Sequence, residues 1–404
     1  MQQQAEKIVK DGVQANKSSH SYNGALVAID PKTGEILSMV GSADWFGKSY
    51  PENCISGKNC LFDPKVNVAT YKIGRQPGSS IKPIIYATAF QKGFTDQTTV
   101  VDELTNFGVY GGKEYIPQNY DGLFRGTVTL RQALAQSLNV PSVKVLLEMA
   151  TIQNSIENAR KMGITTFNKA DSGFGPSIVL GGEEVKLLDL TSAYGVFATE
   201  GVRNPATAIL KIEDSGGNII EEAKDSSRRV LDQNSCRLIS DILSDNEARA
   251  PIFGYSSSLY FPSYQVAVKT GTTSNYKDGW TIGFTPQAVV VTWVGNNNNT
   301  PMSGAVSGVS GASPIWNKIM KAVLDKTEKG VYDKEESGHA WPGQPDSIIG
   351  KTICAVDGLL PSGDAGNPGC PTRFEYFMEG SIPNKITGQR MDLTILNSTQ
   401  QQAG

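Results

Sequence analysis

A serine and a lysine three residues apart, Ser79 and Lys82, are the first pair in this sequence that could do covalent chemistry. They precede an apolar run from Ile84 to Phe90, which predicts a buried helix ending near Gly93. Residues i and i+3 share a helix face, so the Lys82 amine could reach the Ser79 hydroxyl. A desolvated, neutral lysine could then take the hydroxyl proton and activate the serine as a nucleophile. Alone, the pair is more typical of an N-cap serine beside a solvated lysine, because Ser-x-x-Lys is common by chance.

A second polar group, Ser137-x-Asn139, lies where a predicted helix ends. Thr129 is expected to cap that helix at its start. Pro141 is expected to end it and to open the next helix, over 142–150. Ser137 and Asn139 would then lie at a helix–helix junction, where polar side chains can face a cleft. Taken alone, this motif is equally typical of C-terminal capping.

A third group, Lys269-Thr270-Gly271, follows an alternating segment over 264–268 that predicts a β-strand. A glycine at this place allows another backbone or a ligand to approach closely. Two further strands are predicted over 280–284 and 288–294, joined by a short turn.

The elements around these motifs follow from simple patterns. Apolar runs over 25–29 and 36–40 flank a Pro/Gly turn and predict a β-hairpin. Residues 1–16 show the spacing of an amphipathic helix, and Pro314 is expected to open another. Composition changes late in the chain, so residues 345–404 are expected to form a small appended module.

Composition narrows the possible functions. The chain has 404 residues, of which 39% are hydrophobic, and a net charge of -3, which gives no electrostatic case for nucleic-acid binding. No apolar run approaches the ~20 residues that span a bilayer, and no signal peptide is visible at the start. The two histidines, His20 and His339, lie in polar segments, which argues against a Ser-His-Asp triad or a histidine-rich metal site.

The spacing of the cysteines indicates the redox environment in which the protein folds. Cys54 and Cys60 flank one short loop, and Cys354 and Cys370 bracket another, so two disulfides and an oxidising environment are expected. A zinc site built from these four cysteines is the alternative, although the spacings are looser than those of usual zinc knuckles. Cys236 is expected to be a buried free thiol.

The three motifs occur in the order found in penicillin-binding proteins and class A β-lactamases. From about residue 1 to 325 the chain resembles the transpeptidase domain of a class A (bifunctional) penicillin-binding protein. The segments that carry the resemblance, besides the motifs at 77–83 and 269–273, are Pro117-Gln118-Asn119-Tyr120, 128–141, Leu180-Gly181-Gly182 and 190–194.

This resemblance implies an α+β fold in three layers, α/β/α. An antiparallel central sheet of about five strands would be flanked by helices, with an additional all-helical lobe and a small C-terminal module. The implied domains are a linker helix over 1–22, the transpeptidase domain over 23–325, and a module with a disulfide over 326–404.

The activity implied by the resemblance is that of a peptidoglycan D,D-transpeptidase. Ser79 would attack the penultimate D-Ala carbonyl of a stem peptide, expel the terminal D-Ala, and pass the acyl group to an acceptor amine. Lys82 would take the Ser79 proton, and Ser137 would relay a proton to the leaving nitrogen. Asn139 would hold a substrate amide and orient Lys82. A positively charged Lys269 would complete the relay and attract the substrate carboxylate.

The resemblance also implies the binding contacts. Thr270, Gly271 and Thr272 would bind the substrate, with both hydroxyls on its carboxylate. The backbone N–H groups of Ser79 and Thr272 would form the oxyanion hole.

The expected partners are peptidoglycan stem peptides, β-lactam antibiotics and other cell-wall synthesis proteins, with no nucleic acid, cofactor or metal. Class A members carry a membrane helix and a glycosyltransferase domain upstream of the match. Neither is in this sequence, so we expect a fragment that begins at the linker and does not polymerise glycan. The expected location is the extracytoplasmic face of the bacterial cell membrane.

Three other functions stay open at this point. A β-lactamase would need a deacylating base, and the nearest candidate, Glu184, lacks the asparagine of the class A Glu-x-x-Leu-Asn pattern, so slow β-lactam turnover is expected. A D,D-carboxypeptidase would differ only in accepting water. A non-catalytic module that binds muropeptides would be revealed by the absence of acylation.

Overall fold

A computed structural model describes residues 1–170, 173–303, 307–325, 341–343, 345, 348–354, 359–363 and 368–378. The parts of the expected C-terminal module over 326–340 and 379–404 lie outside the described residues.

The helices and strands alternate irregularly along the chain. The helices are α1 Gln2–Asn16, α2 Lys82–Phe90, α3 Leu130–Ala135, α4 Asn139–Lys144, α5 Ile152–Met162, α6 Leu187–Ala198, α7 Gln233–Ser244, α8 Asn246–Phe253 and α9 Ser313–Leu324. The strands are β1 Asn23–Ile29, β2 Ile36–Val40, β3 Thr99–Asp102, β4 Val109–Tyr110, β5 Lys113–Glu114, β6 Gly126–Thr129, β7 Val202–Arg203, β8 Lys211–Glu213, β9 Ile219–Glu222, β10 Arg228–Arg229, β11 Ala267–Thr272, β12 Asp278–Thr285, β13 Ala288–Gly295, β14 Ile348–Cys354 and β15 Thr372–Met378.

A five-stranded antiparallel sheet in the order β11-β12-β13-β1-β2 forms the centre of the fold. Side chains of a strand alternate between its two faces, and β13 is buried on both. Val291 and Trp293 point to a core shared with α2, α6 and α7, whereas Val290 and Val294 point to a core shared with α1 and α9. The sheet therefore lies between two helical layers, which confirms the predicted α+β class.

Helix α2, which follows Ser79, is buried along its whole length. All nine of its residues are buried, and it packs against α5 and α7. A helix that is apolar all round belongs in the interior of a protein. Lys82, at its first position, is therefore carried into the core by the packing of its neighbours.

The junction between α3 and α4 differs from the sequence prediction. Thr129 caps α3 as expected, in a capping box with Gln132. However, α3 ends at Ala135 and α4 already begins at Asn139, so Pro141 lies in the first turn of α4 instead of separating the two helices. The missing N–H of proline costs nothing there, because first-turn N–H groups have no partner within the helix.

The strand that carries the third motif extends beyond the segment that predicted it. Alternation indicated a strand over 264–268, whereas β11 runs over Ala267–Thr272, so the motif is part of the sheet. Cross-strand pairing extends it, with Gly271 opposite Trp280 and Thr272 opposite Gly279. Alternation within one strand could not reveal a ladder that a second strand completes.

The cysteines are paired within each loop. Cys54 is bonded to Cys60 and Cys354 to Cys370, which leaves none of these four sulfurs for the zinc alternative. Cys236 is free and buried, and burial raises the pKa of its thiol. In the part of the chain that the structure describes, no helix is both long and apolar enough to cross a bilayer.

Candidate active site

The three motifs converge on one cleft of about 500 Å³. Ser79 lies in a 3₁₀ turn over Gly78–Ile81 that leads directly into α2, and its side chain is half-buried. The walls of the cleft include side chains from all three motifs, namely Ser79, Ser137, Asn139, Thr270 and Thr272. Residues up to 193 positions apart in the sequence thus meet at one site.

Lys82 is fully buried, immediately after the 3₁₀ turn that carries Ser79 (the Ser79 turn). Its Nζ donates to the main-chain oxygens of Ser137 (2.7 Å) and Leu138 (3.0 Å) and to Asn139 Oδ1 (2.8 Å). Burial, and secondarily the charge of Lys269, lower the pKa of Lys82 well below its usual value. Its amine therefore loses its proton more readily than the amine of a solvated lysine.

The expected direct contact from Lys82 to Ser79 is not among these hydrogen bonds, since all three point to the Ser137–Asn139 turn. Three acceptors suit the three hydrogens of an ammonium group. A neutral amine has only two hydrogens, and its lone pair would then be available to a hydroxyl. Deprotonation of Lys82 is the change that would let it accept a proton from Ser79.

Ser137 connects the two buried lysines. Its backbone adopts the left-handed conformation (φ 62°), which is uncommon for a residue with a Cβ. This turn directs its carbonyl to Lys82 and its hydroxyl to Lys269, whose Nζ lies 2.8 Å from Ser137 Oγ. Lys269 also donates to Thr270 O (3.0 Å), and burial lowers the pKa of Lys269 to about 7.

Asn139 is held from two sides. Its Oδ1 accepts from Lys82, and its Nδ2 donates to Gln118 O (2.8 Å). Its backbone N–H donates to Asn119 Oδ1 (2.7 Å). The segment around 118–119, one of those that carry the family resemblance, therefore fixes the second motif.

Hydrogen bonds from residues distant in the sequence hold the Ser79 turn in place. Tyr194 Oη donates to Ser80 O (2.7 Å), and Trp280 Nε1 donates to Gln76 O (2.7 Å). Ser80 Oγ closes the turn on itself by donating to Pro77 O (2.7 Å). The position of the Ser79 side chain thus depends on α6 and β12 as well as on its own helix.

Four glycines allow the backbones around the cleft to stack. A Cβ on Gly271 would collide with Pro77 O, and a Cβ on Gly181 would collide with the backbone of Gly78. Gly78 itself has φ +55°, and a Cβ there would lie 2.6 Å from Thr272 O. A Cβ on Gly308 would lie 2.7 Å from Gly271 O. Bare backbone therefore brings the Ser79 turn against the end of β11.

A main-chain N–H group orients the hydroxyl of Thr272. Thr272 Oγ1 accepts a hydrogen bond from Gly308 N (3.1 Å), which directs its own hydrogen elsewhere. Because Thr272 lines the cleft, that hydrogen is available to an anion bound there.

Sequence reasoning missed Asp102 altogether. It lies at the end of β3, in a stretch where the sequence analysis predicts no element, and its carboxylate accepts hydrogen bonds from Asn119. No local pattern marks it, because its partners lie 17 or more residues away. Within the described ranges, no three His, Cys, Asp or Glu side chains converge as a metal site would require.

Comparison with known proteins places these motifs in a family context. Residues 24–321 match the family model described as the penicillin binding protein transpeptidase domain. Penicillin-binding protein 1A of Aquifex aeolicus (strain VF5) is 36% identical over 302 residues, which are 74% of this chain and 38% of that protein. Penicillin-binding protein 2D of Bacillus subtilis (strain 168) is 29% identical over 394 residues, 96% of this chain and 51% of that protein. The chain thus spans between 38% and 51% of the length of these two relatives.

Solved structures show the same fold. Penicillin-binding protein 1A from Haemophilus influenzae superposes with a TM-score of 0.68 at 25% identity, covering 91% of this chain and 54% of that one. PonA1 from Mycobacterium tuberculosis, solved in complex with penicillin V, gives a TM-score of 0.67 at 23% identity and covers 82% of this chain and 85% of that one. At that identity, the second likeness concerns the fold alone.

Proposed function

Because this chain belongs to the penicillin-binding protein transpeptidase family, we propose that it is a peptidoglycan D,D-transpeptidase that works through an acyl-enzyme on Ser79. The observation that carries the proposal is that Ser79 and Ser137 line one cleft, and that Ser137 is hydrogen-bonded to two buried lysines of lowered pKa, Lys82 and Lys269. Perturbed pKa values beside a nucleophile are typical of a catalytic site.

In the acylation step, Lys82 takes the hydroxyl proton while Ser79 Oγ bonds to the penultimate D-Ala carbonyl carbon. Collapse of the tetrahedral intermediate breaks the C–N bond to the terminal D-Ala, whose nitrogen needs a proton. Ser137 Oγ, hydrogen-bonded to Lys269, supplies it. Lys269 can replace that proton, because a group with a pKa of about 7 both holds and releases a proton at neutral pH.

Substrate binding would use the strand side of the cleft. The charge of Lys269 attracts the terminal carboxylate, and the hydroxyls of Thr270 and Thr272 bind it. Gly271 would contribute through its main chain only, because the space that a Cβ would need is filled by Pro77 O of the Ser79 turn. The N–H groups of Ser79 and Thr272 form the oxyanion hole, where loss of one donor costs about 10²–10³ in rate.

The acyl group then passes to an amine of a neighbouring stem peptide. The amine nitrogen bonds to the acyl carbon and gives one proton to the Ser137–Lys269 pair, while the bond from that carbon to Ser79 Oγ breaks and Lys82 returns its proton to Ser79. We take residues 23–325 as the catalytic unit, 1–22 as the linker helix, and 326–404 as the module. β-Lactams would acylate Ser79 in place of the stem peptide. An extracytoplasmic location at the cell membrane, beside other cell-wall synthesis proteins, suits the two disulfides.

A β-lactamase is disfavoured by the position of Glu184. The side chain is exposed, and the residue is not part of the cleft wall. A deacylating base must activate a water beside the acyl-serine, which an exposed carboxylate outside the cleft does not do. The acyl-enzyme is therefore expected to be long-lived.

The test is intact mass after incubation with a penicillin, for the wild type, Ser79→Ala, and the exposed serine control Ser215→Ala. One stable adduct on the wild type and the control, and none on Ser79→Ala, is the expected result. Rapid loss of the adduct would favour a β-lactamase, and no adduct on the wild type would overturn the proposal. D-Ala release from a stem peptide, measured with and without an added amine, separates transpeptidase from carboxypeptidase.

A further inference from the structure

A buried carboxylate is linked to Lys82 by three consecutive hydrogen bonds. Asp102 is 1% exposed and accepts Asn119 Nδ2 on both oxygens (2.9 and 2.8 Å) and Arg125 N (3.0 Å). Asn119 Oδ1 accepts from Asn139 N, and Asn139 Oδ1 accepts from Lys82. Among the described residues Asp102 makes no ion pair, so the amide hydrogens of these neighbours are what stabilise its charge.

The carboxylate determines which way the Asn119 amide points. An ionised carboxylate only accepts hydrogen bonds, so it binds the NH₂ side of the amide. Leu123 O accepts from the same nitrogen (2.8 Å). The opposite orientation would set the amide oxygen against two acceptors, so Oδ1 must face the start of α4.

That oxygen replaces a missing helix cap. The N-cap residue of α4 is Leu138, whose side chain cannot accept a hydrogen bond, and no side-chain cap forms there. The first N–H groups of a helix need an acceptor from elsewhere. Asn119 supplies it from another segment, to Asn139 N at 2.7 Å and to Val140 N at 3.4 Å.

The start of α4 is also where the Lys82 amine is bound. All three acceptors of Lys82 belong to Ser137, Leu138 and Asn139, the residues immediately before and at this helix start. Ser137 also carries the hydroxyl that meets Lys269. Any shift of the α4 start therefore moves the surroundings of both lysines.

We infer that Asp102 and Asn119 are positioning residues: the Asp102 carboxylate orients the Asn119 amide, which caps α4 and so holds the Ser137–Asn139 turn against Lys82. The inference rests on the proposed function, because the effect is on the proton transfer from Ser79. Strand β3 and the 118–119 segment would therefore influence the chemistry from a distance, because neither Asp102 nor Asn119 is part of the cleft wall.

The experiment measures acylation of the 404-residue chain by a fluorescent penicillin, separating the maximal rate constant from the dissociation constant of the non-covalent complex. For Asp102→Asn, which keeps the shape and removes the acceptor-only group, the maximal rate constant should fall about 10²-fold, as for small misplacements of a catalytic group. The dissociation constant should change less than about threefold, because the lost interaction acts only on the chemical step.

Asp63→Asn is the matched control. Asp63 is equally buried (1% exposed), but its carboxylate binds Ser56, Gly57 and Lys65, away from the cleft. It should lower the melting temperature without changing the rate constant of the folded fraction. If Asp102→Asn does not fold, Asn119→Ala removes the same cap while leaving the carboxylate.

The outcomes separate the two claims. If the wild type is acylated and the folded Asp102→Asn and Asn119→Ala proteins react within about threefold of its rate constant, the inference is overturned and the proposed function stands. If the wild type itself is not acylated, the proposed function fails and the inference fails with it. A selective loss of rate in the Asp102 and Asn119 variants, absent in Asp63→Asn, supports the inference.

Discussion

The two sides of the cleft bury a lysine in opposite ways. On the helix side, Lys82 lies at the start of α2, surrounded by bulky apolar residues of the core, and its amine has three acceptors. On the strand side, Lys269 lies on β11, at the edge of the sheet, and its amine has two acceptors. The helix side is built by filling space with side chains. The strand side is built by leaving side chains out, at Gly271 and Gly308.

Both lysines are shifted toward the neutral form. Burial lowers the pKa of both, and the positive charge of Lys269 is a second cause that lowers the pKa of Lys82. Two nearby cations cannot both keep their protons at neutral pH without a cost. In the proposed mechanism Lys82 gives up its proton and acts as the base, and Lys269 keeps a share of positive charge for binding the carboxylate.

Loss of the helix-side amine should have the largest effect. In Lys82→Met the side chain still fills the core, but the base is gone, so the acylation rate constant should fall by about 10²–10⁴. Lys92→Met is the control, because that lysine also donates to a main-chain carbonyl, Ala150 O, but lies at the other end of α2. The measurement is adduct formation by intact mass over time, and wild-type rates in Lys82→Met would assign the base to another group.

Filling the strand side should have the next largest effect. In Gly271→Ala the new Cβ collides with Pro77 O, which belongs to the main chain and cannot move alone. The Ser79 turn and β11 must separate, and the acylation rate constant should fall about 10²-fold, with a lowered melting temperature. Gly175→Ala is the control, since no atom lies within 4 Å of its added Cβ. Equal behaviour of the two variants would contradict the close-packing argument.

The pH dependence of acylation should show the two lysines separately, with a change approaching tenfold per pH unit on each limb. As the pH falls through the lowered pKa of Lys82, the base becomes protonated and the second-order rate constant should fall. As the pH rises through about 7, Lys269 loses the charge that attracts the carboxylate, and the rate constant should fall again. Lys269→Arg should remove the alkaline limb, because arginine stays charged. A limb that persists in this variant must come from another group.

Local patterns were enough for the elements that carry the chemistry. The apolar run after Lys82 identified α2, the Thr129 cap identified α3, and the apolar runs at 25–29 and 36–40 identified the first hairpin. Each of these signals depends on residues within a turn or a strand of one another. The order of the three motifs indicated the family, and the family resemblance in turn predicted the central antiparallel sheet.

The sequence by itself determined the residue types and the order of the three motifs, and it placed Lys82 at the start of a buried helix. Only the tertiary structure decided the left-handed turn at Ser137, the extension of β11 through Gly271, and the place of Asp102 behind Asn119. The reason is physical: each depends on an acceptor, a backbone or a neighbouring strand from another part of the chain. Contacts with such distant partners leave no periodic pattern in the sequence. They form only when folding excludes water and brings the two lysines close together.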